Sequence, residues 1–336
     1  MPFRITAVGS PLVDYNACVD DAFLQKFVPG AKGGTVHIAD AEKNTICERL
    51  NNSMLRTCGG SAANTAFALA KLGVETAFVG KLGKDPDGEY FLNEMTRCNL
   101  DGKNIIVSES GSTGYCISLV TPDAERTMRS NLGVSTGLTA GDFSPGTFEG
   151  SDWVHIEGYM AECDAFEAIL ECARSAGCKI GLDLSSFELA ESHRELFTSV
   201  LESGKIDLIF ANSEEARALT GCDDDEKNLQ YFAKYCTYSV LKLGSRGALV
   251  INRDENDVYT IAAEEVFKVV DTTAAGDFFA AGFYFGLSNE SYTCVCGRCG
   301  AIMAAEIIQH FGTVLPEEYW MDILWDLNSE VIKNGF

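Results

Sequence analysis

Positive charge is scarce in this chain. Its 336 residues hold 26 Lys and Arg against 49 Asp and Glu, a formal net charge of −23. Nucleic-acid phosphates and anionic membrane surfaces both call for clustered cations, so neither nucleic acid nor membrane is expected as a partner. An anionic ligand would have to be held locally, by backbone N–H groups, a metal ion or a few well-placed Arg and Lys. Long apolar runs are also missing. The longest, Phe278 to Leu287, contains Gly282 and Gly286 and falls far short of the ~20 residues that cross a bilayer. An export signal is not expected either, because Met1-Pro2-Phe3-Arg4 leads straight into Ile5-Thr6-Ala7-Val8-Gly9, a strand-like run too short for a signal core.

Several catalytic signatures are absent. There is no G-x4-G-K-[ST] phosphate loop, and no G-x-G-x-x-G follows the first strand, which argues against a nicotinamide enzyme. Gly133-Val134-Ser135-Thr136-Gly137 matches a G-x-S-x-G elbow in letters only, since turn-rich polar sequence flanks it instead of a strand and a helix. The 4 His form no zincin pattern, and His155, inside an apolar strand, reads as a core residue. The 13 Cys are odd in number and scattered, which fits thiols in a reducing compartment, the cytoplasm. Cys294, Cys296 and Cys299 cluster without a fourth ligand at zinc spacing, so buried thiols on a helix are expected there.

With 46 % apolar and 22 % charged residues the chain is globular, with length for roughly two domains or one large α/β unit with an appendage. Short apolar runs at Ile5–Gly9, Thr76–Val79, Trp153–Ile156, Lys179–Leu182, Leu208–Phe210 and Ser239–Leu243 read as buried strands. Helical spacing recurs between them, at Ala62–Leu72, Pro86–Cys98, Ala165–Ser175, Arg194–Ser203 and Glu214–Thr220. The alternation predicts a mostly parallel sheet with helices on both faces and ligands at the carboxyl ends of the strands. Two stretches break it. Asp14 to Thr57 shows β-like pieces and little helical periodicity before about Glu42, and Ile105 to Arg129 reads as a hairpin turning at Thr121-Pro122-Asp123-Ala124. A small sheet built from both would make a lid. The division expected is 1–13, 58–104 and 130–336 for the α/β body, with 14–57 and 105–129 for the lid.

Four segments could carry chemistry. Asp271-Thr272-Thr273-Ala274-Ala275-Gly276-Asp277 opens the almost wholly apolar run that follows. A small-residue turn leading into a buried helix leaves free N–H groups that bind anions, and small side chains let a phosphate approach. Asp277, in the first turn, is either a general base for an attacking hydroxyl or an acid favoured there by the helix dipole. Asn212-Ser213-Glu214-Glu215 follows a strand. It reads as a capping box, or as a pair holding hydrated Mg²⁺ near phosphates. Lys242-Leu243-Gly244-Ser245-Arg246-Gly247 is a turn where backbone could approach a nucleotide, or only a hairpin turn. Cys58-Gly59-Gly60-Ser61-Ala62-Ala63-Asn64 is a second Gly pair opening a helix.

Taken together and in this order, with Gly9-x-x-x-x-Asp14 ahead of them, these features resemble the ribokinase-like (PfkB) family of carbohydrate and nucleoside kinases over nearly the whole chain. The resemblance implies a three-layer α/β/α fold with a small β-sheet lid, and ATP- and Mg²⁺-dependent phosphorylation of a primary hydroxyl. Under it Asp277 is the base, and Ala274, Ala275 and Gly276 are the anion hole for the γ-phosphoryl. Asn212 and Glu215 are the Mg²⁺–phosphate motif, with Glu215 acting through water, while Lys242, Gly244 and Gly247 belong to the nucleotide floor. Asp14, Gly59, Gly60 and Asn64 bind the acceptor's hydroxyls. Asp271 and Thr273 start a monovalent-cation loop, filled by K⁺ in many members.

Within the family, Gly9–Asp14, Val19–Leu24 and Thr121–Gly133 resemble the adenosine kinase-like branch, which would aim Arg126 at the γ-phosphate. Tyr159 stands where that branch sets an aromatic against the base, though rim packing is an equal reading. A nucleoside acceptor is thus expected, with a sugar kinase or a catalytically silent binding regulator as alternatives, in a monomer or homodimer. Two departures stand out. Ala274 replaces the family's usual Gly, where a φ > 0 requirement would cost about 1 kcal/mol, and Ser10 stands where the branch carries Asn.

Overall fold

The computed structural model describes residues 3–50, 53–123, 125–255 and 257–334. Met1 and Pro2 of the leading run, and Ala124 of the expected turn, lie outside the described residues.

Among the described residues, eight strands build the main sheet: β1 (Arg4–Val8), β5 (Glu75–Val79), β10 (Trp153–Glu157), β11 (Lys179–Asp183), β12 (Leu208–Asn212), β13 (Tyr238–Lys242), β14 (Ala248–Asn252) and β15 (Asp257–Ile261). Five build a second sheet: β2 (Leu12–Cys18), β3 (Thr35–His37), β4 (Leu55–Gly59), β8 (Thr113–Val120) and β9 (Arg126–Gly133). The ribbon β6 (Lys81–Gly83) and β7 (Ile106–Ser108) stands apart. The helices are α1 (Asp21–Phe27), α2 (Asp40–Leu50), α3 (Ser61–Lys71), α4 (Pro86–Arg97), α5 (Phe166–Ser175), α6 (Phe187–Ser192), α7 (Arg194–Glu202), α8 (Ser213–Thr220), α9 (Asp225–Ala233), α10 (Ala275–Ser288), α11 (Thr293–Ile307) and α12 (Trp320–Asn334).

The main sheet runs β15-β14-β13-β12-β11-β10-β1-β5, parallel from β5 to β13 and antiparallel beyond. Its strands read as continuous apolar runs because both faces are covered. Ile209 and Ala211 pack under α5 to α9, while Leu208 and Phe210, one residue out of phase, pack against α10, α11 and α12. The result is a ribokinase-like three-layer fold, in which α10 buries Phe278 through Gly286. The strand order reverses at β1, between β5 and β10, which opens a crevice at its carboxyl end.

The second sheet runs β3-β9-β8-β2-β4 and packs on α1 and α2. Its strands begin at Leu12 and end at Gly133, wider than the hairpin material read from the sequence. Two details differ from the sequence expectation. Helix α1 lies inside the stretch read as β-like, nucleated by the Asp20 side chain accepting from the Phe23 N–H at 2.7 Å. Strand β7 pairs with β6 and leaves the hairpin to β8 and β9.

Gly60 joins β4 to α3 at φ 102°, and a Cβ there would overlap the Ser10 carbonyl oxygen. Gly73, at φ +80°, has open space around it. Alanine at Gly73 should therefore cost about 1 kcal/mol of backbone strain. Alanine at Gly60 should cost about 1–3 kcal/mol more from the clash. Chemical denaturation of both variants checks this, and equal losses would contradict it.

Candidate active site

Helix α10 begins without a side-chain cap. Ala274 precedes it in the left-handed region, at φ 62° and ψ 4°, so the anticipated positive φ is adopted by an alanine. The Phe278 N–H closes the first helical bond, to the Ala274 carbonyl at 2.9 Å, and Ala275 and Gly276 line a cleft of about 410 Å³. Asp277 sits in the first turn. Its Oδ1 accepts from Ser61 Oγ at 2.7 Å and its Oδ2 from Asn64 Nδ2 at 2.8 Å, while its carbonyl accepts from Thr65 Oγ1 at 3.1 Å. All three donors come from α3. Burial pushes the Asp277 carboxyl up to about 6, against the two donors, which favour the ionised form; the Asp183 carboxylate adds to the rise and Lys242 opposes it.

Behind this helix terminus lies a row of charged groups at strand ends. Lys242, ending β13, reaches Asp183 Oδ2 at 2.9 Å, and its Nζ lies 2.9 Å from where a Cβ on Gly276 would stand. The ammonium is thus set beside the opening of α10, and Gly276 makes room for it. Burial works against its charge, but Asp183 and Glu215 outweigh that and move its pKa up. Asn212 and Glu215 form a capping box: Glu215 Oε2 accepts from the Asn212 N–H at 2.8 Å and Oε1 from Asn212 Nδ2 at 2.7 Å. Burial pushes Glu215 up to about 7. The capping-box reading of that motif is what the structure shows, and Glu215 also lies within electrostatic range of Lys242, Asp183 and Asp277.

Gly244 (φ 59°) and Gly247 (φ 87°) bracket the turn after β13, and a Cβ on Gly247 would strike the Ile261 carbonyl oxygen. Both line the 410 Å³ cleft, with an apolar wall of Val266, Val269, Phe279, Ala304 and Ile308. An apolar slot ending at an uncapped helix N-terminus and an ammonium fits a nucleoside triphosphate. Among the described residues no three His, Cys, Asp or Glu are grouped to hold a metal ion. The acids present, already hydrogen-bonded, suit a hydrated Mg²⁺ carried on phosphates and met through water.

A second cavity, of about 520 Å³, lies across Ser61 from the first, between the two sheets. Gly60, Tyr159 and Ser10 line it, and burial lifts the Tyr159 hydroxyl to about 12. Asp14, on β2, is buried with Oδ2 3.4 Å from Thr313 Oγ1, and Gly59 leaves space for its carboxylate. Burial raises Asp14 to about 7, with Asp277 and Asp271 adding to the rise and Thr313 and Arg126 opposing it. Asn64 is held by Asp277 through its amide, so its side chain is committed to that carboxylate. Arg126 pairs with Asp271 at 2.9 Å, joining β9 to the loop before α10. Asp271 also accepts from Thr273 N and Oγ1 and from the Gly312 N–H.

Sequence reasoning passed over four contributors. Ser61 and Thr65 lay inside or beside a quoted motif without an assigned role. Asp183 and Glu157 each end an apolar strand, a carboxylate at a carboxyl terminus, and that was the available signal. Glu157 is buried, with Oε1 accepting from the Ser10 N–H at 2.7 Å and Oε2 from the Ala62 N–H at 2.8 Å. Burial pushes it up to about 7. Ser185, just past Asp183, has φ 66°, so strained backbone falls at this site twice. The Cys294–Cys299 cluster lies on α11 with Cys296 and Cys299 buried, away from the site.

A family profile described as pfkB family carbohydrate kinase matches residues 36–319. The chain belongs to the PfkB carbohydrate kinase family. It is 25 % identical to the adenosine kinase of Saccharomyces cerevisiae over 342 residues, covering 95 % of this chain and 98 % of the yeast protein. Among solved structures, the adenosine kinase from Sinorhizobium meliloti superimposes with a TM-score of 0.86 at 28 % identity, covering 97 % of this chain and all of the other. A probable sugar kinase from Rhizobium etli gives 0.83 at 28 % identity, covering 100 % and 99 %. This PfkB protein is accordingly a phosphotransferase acting on a hydroxyl group, of a family that uses ATP, typically with Mg²⁺. No helix among its described residues is long and apolar enough to cross a membrane.

Asp14 gives a sign-definite test. Its folded pKa of about 7 exceeds the unfolded value near 4, so the folded chain keeps a proton that the unfolded chain releases. The stability this proton gives is full below about pH 4 and is lost as pH rises through about 7. Asp14→Asn should therefore gain melting temperature over wild type progressively across that window. A gain identical at pH 5 and pH 8 would contradict the assignment.

Proposed function

We propose that this kinase transfers the γ-phosphoryl group of ATP to the primary hydroxyl of an adenosine-like nucleoside. The observation that carries the reading is that Asp277 directly follows Gly276 of the cleft that suits a nucleotide and accepts from Ser61 of the second cavity. Ser61 and Asn64 hold the carboxylate so that it can accept the proton of the incoming hydroxyl. The first-turn N–H groups of α10 and the Lys242 ammonium meet charge that develops on the phosphoryl oxygens. Asn212 and Glu215 are the residues placed to meet a hydrated Mg²⁺, which supplies charge neutralisation on the phosphates when bound. In this reading Asp14, packed against Gly59, binds the acceptor's ribosyl hydroxyls.

The second sheet acts in this reading as a lid, with residues 14–57 and 105–129 forming its bulk. Arg126 tethers it to the loop before α10 through Asp271, and in this reading it meets the transferred phosphoryl group when that tether opens. Closure over the cavity excludes water, which would otherwise compete as acceptor. Asp271 and Thr273 remain the residues placed for a monovalent cation. A sugar kinase is the second reading, favoured by the likeness to the probable sugar kinase structure.

ADP release with a panel of nucleosides and sugars tests the proposal. Asp277→Asn keeps the size, replaces one of the two acceptor oxygens by an amide donor and removes the proton acceptor. It should lower kcat about 10²–10⁴-fold with nucleotide affinity retained. Equal rates in wild type and variant would refute the role of Asp277, and turnover of free sugars alone would favour the second reading.

A further inference from the structure

The acceptor cavity is polarised along its length. Its inner end is Gly60 and Ser61, beside Asp277. Its lining also includes the Glu162 and Glu188 side chains, which are exposed and have no hydrogen-bond or ion-pair partner among the described residues. No Arg or Lys is among the residues that line it. The nearest ionisable base, His37, is held by Ser130 Oγ at 3.3 Å from Nδ1. Arg126 and Lys242, which the proposed function assigns to the phosphoryl group, pair with Asp271 and Asp183 and do not line this cavity.

An acceptor that brought a phosphate into this cavity would meet two uncompensated carboxylates and no counter-charge. Like charges brought together are unfavourable even at exposed, solvent-screened positions, and they act mainly on specificity. Hydrogen-bond donors such as an exocyclic amino group would find two ready acceptors at the same place.

We infer that Glu162 and Glu188 are specificity-determining residues, which reject phosphorylated acceptors and favour a nucleoside whose base presents an amino group. The inference rests on the kinase reading above and deepens it. The family likeness alone leaves the point open, because relatives include an ATP-dependent ribose-1-phosphate kinase from Halopiger xanaduensis, 29 % identical over 238 residues. Ribose 1-phosphate places its dianion where a nucleoside places its base, so it is the discriminating probe. The carboxylates act on binding and not on the proton transfer, which remains with Asp277.

The test compares adenosine, inosine, ribose and ribose 1-phosphate as acceptors for wild type, Glu162→Gln, Glu188→Gln and the double variant. Wild type should use adenosine with kcat/KM on the order of 100-fold above ribose 1-phosphate. The double variant should narrow that gap about tenfold, and should lose part of the preference for adenosine over inosine. These changes should appear in KM, with kcat for adenosine and the melting temperature little altered, which a merely structural role would not produce. Wild-type use of ribose 1-phosphate at the adenosine rate overturns the inference, as does an unchanged adenosine to ribose 1-phosphate ratio in the double variant. Turnover of no acceptor at all would instead overturn the kinase reading itself, and the inference with it.

Discussion

Asp277 is bound to helix α3 by three hydrogen bonds, and most of the site exists to keep that junction in place. Two of them reach the carboxylate from Ser61 and Asn64, and the third fixes its backbone through Thr65. Two donors alone would make this carboxyl more acidic, but burial wins, and the group is held near 6, a value from which it can both ionise and take up a proton. The position of α3 is in turn set by Glu157, whose two oxygens accept from Ala62 at the helix start and from Ser10 after β1. Gly60 lets the chain turn between them against the Ser10 carbonyl.

The acidity of the chain gives this arrangement its character. A protein of net charge −23 must hold a polyanionic nucleotide in its own negative field. In the proposed reading it does so without a broad basic surface, through a helix N-terminus, one ammonium and a divalent ion brought with the phosphates. Four buried carboxyls, Asp14, Glu157, Glu215 and Asp277, crowd the same region with pKa values pushed up to between about 6 and 7. Such a cluster of shifted carboxyls is a mark of functional sites, and it costs stability at neutral pH. The cavity read as the acceptor side has no Arg or Lys in its lining, so in the proposed reading the two halves of the site differ in the charge they accept.

The fold was legible where burial is two-sided. Leu208 to Phe210 and Lys179 to Leu182 read as strands because they are short, nearly continuous apolar runs, and the helices between them keep regular spacing. Helix α1 was not legible, since its seven residues are too few for periodicity and only the Asp20 cap marks it. At the site, the Asp271–Asp277 turn announced itself by its small residues, and the left-handed Ala274 followed from the same motif. The pairings did not. Arg126 with Asp271 spans 145 positions and Lys242 with Asp183 spans 59, and nothing local fixes such partners. Glu157 and Asp183 look like ordinary strand ends until the sheet order brings their carboxylates to one crevice.

The central claim is that Asp277 is a proton acceptor tuned by burial against its α3 donors. Titration of its side-chain carboxyl carbon by NMR, assigned by difference from Asp277→Asn, measures this directly. The account expects a midpoint near 6 in the wild type and a higher one in Ser61→Ala, where the ionised form loses a donor. A midpoint at the ordinary carboxylate value near 4, indifferent to Ser61, would contradict it.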